Sequence, residues 1–157
     1  MNKKILFALT VVLVAVAAIG TVSAFDFSDL GALFGGAPPD QNVTLDGEHF
    51  KIPGTFKENK NISKNGTVND YVAFKSTEYA IGFKNDTNYI NITISDYNTT
   101  DVGKDLINYM NGTSKDVSGV QGYIYKDDVG YTYTYGKGSK VISIQSDNES
   151  LIGPVIA

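Results

Sequence analysis

Five tyrosines stand at alternate positions, Tyr123, Tyr125, Tyr131, Tyr133 and Tyr135, inside the run YIYKDDVGYTYTY. Phenol rings stacked across neighbouring strands make a flat amphipathic surface with hydroxyls at its rim, suited to a sugar ring or to another protein. Whether the five share a face depends on the loop between them. A three-residue loop, Asp128-Val129-Gly130 with the glycine in a left-handed bulge, sets Tyr125 opposite Tyr133 and Tyr123 opposite Tyr135, with all the rings on one side. A two- or four-residue loop instead groups Tyr131, Tyr133 and Tyr135 with Val120, Gly122 and Ile124, and leaves Tyr123 and Tyr125 opposite. Gly130 favours the three-residue form. The competing account is sheet packing, since cross-strand aromatic pairs stabilise a sheet by roughly 0.2–1 kcal/mol each.

Catalytic groups are sparse. His49 is the single histidine, and Glu48 beside it points to the opposite face of a strand, so no histidine-centred dyad is visible in local sequence. Asp101 and Asp105 sit four apart on an expected helix, and Asp127 and Asp128 occupy an expected turn. A glycosidase needs two carboxylates at a defined separation, which leaves a small carboxylate-dependent hydrolase of envelope polymers as the alternative function. SDYNTTDVGKDL begins like a calcium loop, but Asp101 stands where glycine is needed and Ile107 where glutamate is needed. GKGSK lacks the spacing of a phosphate cradle and reads as a hairpin turn. No cofactor or metal site is expected.

Modification is the stronger chemical signal. Asn-X-Ser/Thr triplets begin at Asn42, Asn61, Asn65, Asn85, Asn91, Asn98, Asn111 and Asn148, eight of the twelve asparagines after Ala24. Chance placement of serine and threonine gives about two, so the surplus points to glycan acceptors on an exported chain. Asn91 is the demanding case, because Ile90, Ile92 and Ile94 fill one face of YINITIS; the asparagine falls on the other.

The elements that would position these groups follow from periodicity. Residues 1–24 carry Lys3 and Lys4, an apolar run from Ile5 to Ile19 and a small-residue TVSA end, the order of a secretory signal peptide or an uncleaved N-terminal anchor. Residues 25–41 read as a tether, and 42–157 as a single extracellular α+β domain. VTLDGEHFKI is a hairpin turning at Asp46-Gly47, and Pro53-Gly54 closes it. Lys57 to Asn69 reads as a polar loop. Strands are expected around Tyr71–Lys75, Tyr79–Lys84 and Tyr89–Ser95, then a helix over about 101–111 with Val102, Leu106, Ile107 and Met110 on one side. Three more strands follow, at about Val120–Lys126, Tyr131–Gly136 and Lys140–Ser146, and ESLIGPVIA suggests a short helical turn that Pro154 disturbs. Strands, helix, strands gives an antiparallel sheet of about six to eight strands with the helix on one face.

Composition narrows the partners. In 157 residues there is no cysteine, and all thirteen basic residues are lysine. Disulfides, thiolate metal sites and cysteine nucleophiles are excluded, and no arginine fork exists for phosphate or guanine. A formal charge of -4 repels polyanions, so nucleic acid is not an expected partner, and membrane contact is confined to residues 5–24 if they are retained.

The leader together with VTLDGEHFKIPGTFKEN resembles small secreted or membrane-anchored proteins of methanogenic archaea. That resemblance implies an archaeal envelope protein and carries over no catalytic residue. The element order is similar to that of PsbP/Mog1-like domains, which implies a layout and no activity. The expected function is a non-catalytic, N-glycosylated domain, secreted or held at the cell surface, that binds glycan or an envelope protein through its tyrosine-rich face.

Overall fold

A computed structural model describes residues 38–70, 75–99 and 112–156. The leader, most of the tether, the expected helix at 101–111 and the sequon at Asn111 lie outside the described residues.

Asp46 and Gly47 both take positive φ, 46° and 75°, and fold Gln41–Leu45 (β1) onto Glu48–Ile52 (β2) as the Asp-Gly pair predicts. Seven further strands form a second, wholly antiparallel sheet. They are Lys57–Asp70 (β3), Lys75–Lys84 (β4), Tyr89–Asp96 (β5), Thr113–Val117 (β6), Val120–Lys126 (β7), Tyr131–Lys137 (β8) and Lys140–Ser146 (β9). Their spatial order is β3-β4-β5-β9-β8-β7-β6. A 3₁₀ turn at Glu149–Leu151 leads into a four-residue helix, Ile152–Val155 (α1). The fold is α+β, mostly sheet.

Two expectations change. Lys57 to Asn69 is not a loop; it lies in β3, which pairs with β4 through two register shifts, between Glu58 and Ser63 and between Lys64 and Thr67. Those bulges break the period-2 pattern, and an edge strand facing water has little need of apolar residues, so the strand reads as loop. Ser76 to Glu78 is likewise strand and not turn, because β4 runs unbroken from Lys75. β6 was not expected at all. Its TSKDV carries no apolar alternation, and the sign of it is the Ser118-Gly119 pair, with φ of 54° and 79°, which turns it onto β7.

One face of the large sheet holds the core. Alternation places Ile90, Ile92 and Ile94 of β5 beside Ile142 and Ile144 of β9, all fully buried. Phe50 and Ile52 from the hairpin, Phe56, Phe83 of β4, Tyr133 and Tyr135 of β8, and Ile152 and Val155 from α1 complete the cluster. The opposite face is polar, with Thr93, Ser143 and Thr134 in one row and Asn91, Gln145 and Thr132 in the next.

Charge fastens the hairpin to the sheet. Lys140 Nζ lies 3.1 Å from Asp46 Oδ2 and 3.6 Å from Glu48 Oε1, and Lys137 Nζ reaches Glu48 Oε2 at 2.6 Å. Burial opposes the Lys140 charge, but the Asp46, Glu48 and Asp96 carboxylates outweigh it and hold its pKa above the ordinary lysine value. Lys140→Ala removes the counter-charge from Asp46, leaves Glu48 with Lys137 alone, and is expected to cost about 1–3 kcal/mol in urea unfolding. Lys51→Ala, which breaks only the exposed pair with Asp40, should stay within about 0.5 kcal/mol of wild type.

Candidate functional site

The tyrosines do not share a face. Lys126 pairs with Tyr131, so the β7–β8 loop has four residues, Asp127 to Gly130, and not three. The Asp127 carboxylate sets that length: its Oδ1 accepts from Val129 N at 2.9 Å and Gly130 N at 3.0 Å, while Asp127 N donates to Gly130 O at 2.9 Å. One extra residue reverses the parity. Tyr123 now opposes Thr134 and Tyr125 opposes Thr132, while Tyr133 opposes Ile124.

Tyr131, Tyr133 and Tyr135 therefore face the core. Tyr133 is 0% exposed and Tyr135 7%, their ring centroids 5.9 Å apart. The Tyr133 ring covers Gly122, where a Cβ would stand 2.7 Å from the ring's Cζ and hydroxyl, and the hydroxyl donates to Val120 O at 2.5 Å. Tyr131 is half-buried, with Lys126 Nζ 5.0 Å above its ring centroid. On the polar face remain Tyr123, half-buried, and Tyr125, 40% exposed. A five-ring platform is thus ruled out by register, and only Tyr123 and Tyr125 remain on a face other than the core's.

Burial, then the Glu48 charge, pushes the Tyr135 hydroxyl up to about 12, and burial also raises Tyr133. An unfolded tyrosine ionises near about 10. The stabilisation from keeping the Tyr135 hydroxyl neutral is fully present below about pH 10 and is lost as pH rises towards 12, and Tyr133 contributes in the same direction. Titration followed by phenolate absorbance should show a late class of tyrosines whose ionisation coincides with loss of near-UV circular dichroism.

Where β6 and β7 meet the C-terminal turn, the surface opens into a groove. Two depressions of about 640 and 350 Å³ share Ile124 and Glu149 as lining residues. The first is lined by Val117, Ile124 and Ile152 and by Lys115, Asn148 and Glu149; the second reaches Tyr125, Lys126 and Tyr131. Lys115 and Glu149 form an ion pair here. None of this was legible from spacing, because Lys115 and Glu149 are 34 positions apart and meet only through β6, which had no apolar signature.

Among the described residues the carboxylates that gather, Asp46, Glu48 and Asp96, do so around Lys140 as its counter-charges. Asp127 is engaged with its own loop, and Asp101 and Asp105 lie outside the described residues. Glu78 accepts from Lys64 at 2.6 Å and Asn69 at 2.6 Å, and the Lys64 bond leads in holding its pKa below the ordinary value. His49 is exposed with Nδ1 3.0 Å from Thr44 Oγ1, on the face of β2 opposite Glu48. Among the described residues no three acidic or histidine side chains gather as metal ligands, and no helix is long and apolar enough to cross a membrane.

Of the described acceptor asparagines, Asn42, Asn61, Asn65, Asn98 and Asn148 are exposed and Asn85 is half-buried in the β4–β5 turn. Asn91 lies on the polar face as expected, but its Oδ1 is buried without a partner and its Nδ2 is 3.4 Å from Gln145 Oε1. Ile62 crowds it from β3: a Cβ on neighbouring Gly82 would fall 2.8 Å from Ile62 Cβ and 2.9 Å from Asn91 Oδ1. Comparison of the chain with family models, with curated proteins and with solved structures finds no match.

Proposed function

We propose that this is an N-glycosylated envelope domain, secreted or anchored at the cell surface, that makes its contacts through the β7 side of the sheet and not through a five-ring platform. The observation that carries it is the sequon surplus behind a leader-like N-terminus, with five of the seven described acceptors on exposed strand and turn positions. Acceptors must face water to be modified. Tyr123 and Tyr125 share a strand free of sequons and offer rings to a glycan or to an envelope protein.

Intact-mass measurement of the native protein from separated cell fractions tests the address and the modification together. The expected result is a chain in the surface or medium fraction that is heavier than its polypeptide, with peptide mapping finding sugar at Asn61 and Asn65 and none at Asn91. A bare, full-length chain in the cytosol overturns the reading. For the contact surface, the Tyr123→Ser/Tyr125→Ser protein should fold normally and lose retention on cell-wall material; unchanged retention removes β7 from the account.

A further inference from the structure

We propose that the saccharide on Asn148 lies in the groove between β6 and the C-terminal turn, as a packed part of the domain and not a free surface chain. The inference rests on the N-glycosylation reading above and goes beyond it by giving one glycan a seat.

Among the described acceptors Asn148 alone lines the groove, and its side chain is held by its own turn, as that of Asn85 is. It caps the 3₁₀ turn, its Oδ1 accepting from Ser150 N at 3.1 Å and from Ser150 Oγ at 2.9 Å, while its own N donates to Ser146 Oγ at 3.2 Å. The side-chain carbonyl is thereby fixed, and Nδ2 is left as the polar atom with no hydrogen bond among the described residues. Attachment forms a bond from Nδ2 to the anomeric carbon of an activated glycosyl donor, breaks that carbon's bond to its phosphate leaving group, and releases one amide proton. The cap hydrogen bonds survive this, because they use Oδ1 alone.

The groove beside it has the chemistry of a sugar site. A pyranose has apolar C–H faces and a rim of hydroxyls; Val117, Ile124 and Ile152 supply an apolar floor, and Lys115, Asp116 and Glu149 supply charged hydrogen-bonding groups. Asp116 is already held by one oxygen, Oδ1 accepting from Gly119 N at 3.0 Å, so its carboxylate is oriented before any ligand arrives. At about 640 Å³ the depression falls within the range of about 300–1,000 Å³ usual for ligand sites. Asn42, Asn61, Asn65 and Asn98 line neither depression. Tethering decides the occupant: a sugar fixed at the rim meets the groove at an effective concentration on the order of millimolar, so weak contacts suffice and a free glycan is outcompeted.

The test uses the full-length glycoprotein from its native host, with Asn148→Asp and, as reference, Asn61→Asp. Aspartate keeps the cap acceptor and removes the glycosylation nitrogen; Ser150→Ala is a second variant that cancels the sequon and leaves Asn148 in place. Intact mass first shows whether Asn148 carries sugar. If it is bare, the glycosylation reading fails at this site and the inference with it. If it is modified, the expected results are NMR contacts between sugar protons and the methyls of Val117, Ile124 and Ile152, and a Tm about 3 °C lower in Asn148→Asp than in Asn61→Asp. A modified Asn148 with no such contacts and equal Tm values overturns the seat alone and leaves glycosylation standing. Binding of an added free oligosaccharide in the groove of the wild-type glycoprotein also overturns it, since the groove would then be vacant.

Discussion

Replacing Tyr133 by serine is expected to lower the unfolding free energy by about 3–5 kcal/mol, the range for emptying a large aromatic site in a core. The ring is wholly buried, packs on Tyr135 and Ile144, and covers the bare backbone of Gly122. Its hydroxyl is the donor to Val120 O and lies 3.2 Å from Lys115 O, so the substitution also strips a partner from the strand that borders the groove. Against a typical total of about 5–15 kcal/mol, the variant should show a much lower urea midpoint or fail to fold at growth temperature. Tyr125→Ser removes a ring that is 40% exposed on the polar face and should fall within about 0.5 kcal/mol of wild type. Equal costs at the two positions would place all the rings in one environment, which the four-residue loop forbids.

That contrast marks where sequence stops being sufficient. Alternation told the inward face of β5 and β9 from the outward one, because Ile90, Ile92, Ile94, Ile142 and Ile144 repeat at period 2 and a slip of one residue would expose them all. Turn chemistry located Asp46-Gly47 and the glycine turn after Lys137. The tyrosine strands carry no such protection. Tyrosine suits either face, and Thr132 and Thr134 are buried on the polar side much as Tyr133 and Tyr135 are on the other, so both parities read as acceptable. Parity was instead fixed by one carboxylate, Asp127, and a choice between two turn lengths made by one hydrogen-bonding side chain cannot be read from hydrophobic periodicity. β3 and β6 were hidden for a related reason. Edge strands meet the core on one flank only, and their residues are free to be polar. The groove inherits that opacity, since β6 forms one wall.

Gly130→Ala is expected to be the most damaging of the turn substitutions, and its size tests how the loop sets the register. Sequence already demanded glycine there, for a bulge; the structure demands it for two other reasons. Its φ is 147°, a conformation that costs a side-chain-bearing residue about 1–3 kcal/mol. A Cβ would also stand 2.4 Å from Ser146 O and 2.9 Å from Asp147 Cα, backbone atoms with nowhere to retreat, for roughly 1–3 kcal/mol more. Gly119→Ala separates the two effects. That glycine also has positive φ, 79°, but open space around it, so it should pay only for conformation, about 1–2 kcal/mol. The excess at Gly130 then measures the contact between the β7–β8 turn and the end of β9. Tyr89 reports on the same junction, since its hydroxyl donates to Val129 O at 2.7 Å and its amide to Asp147 Oδ1 at 3.2 Å. Near-UV circular dichroism of Gly130→Ala should therefore change along with its urea midpoint, whereas Gly119→Ala should shift the midpoint alone. If the two variants lose equal stability, the turn is not seated against Ser146, and the parity that sends Tyr133 into the core is held by the Asp127 turn and the strands without that contact.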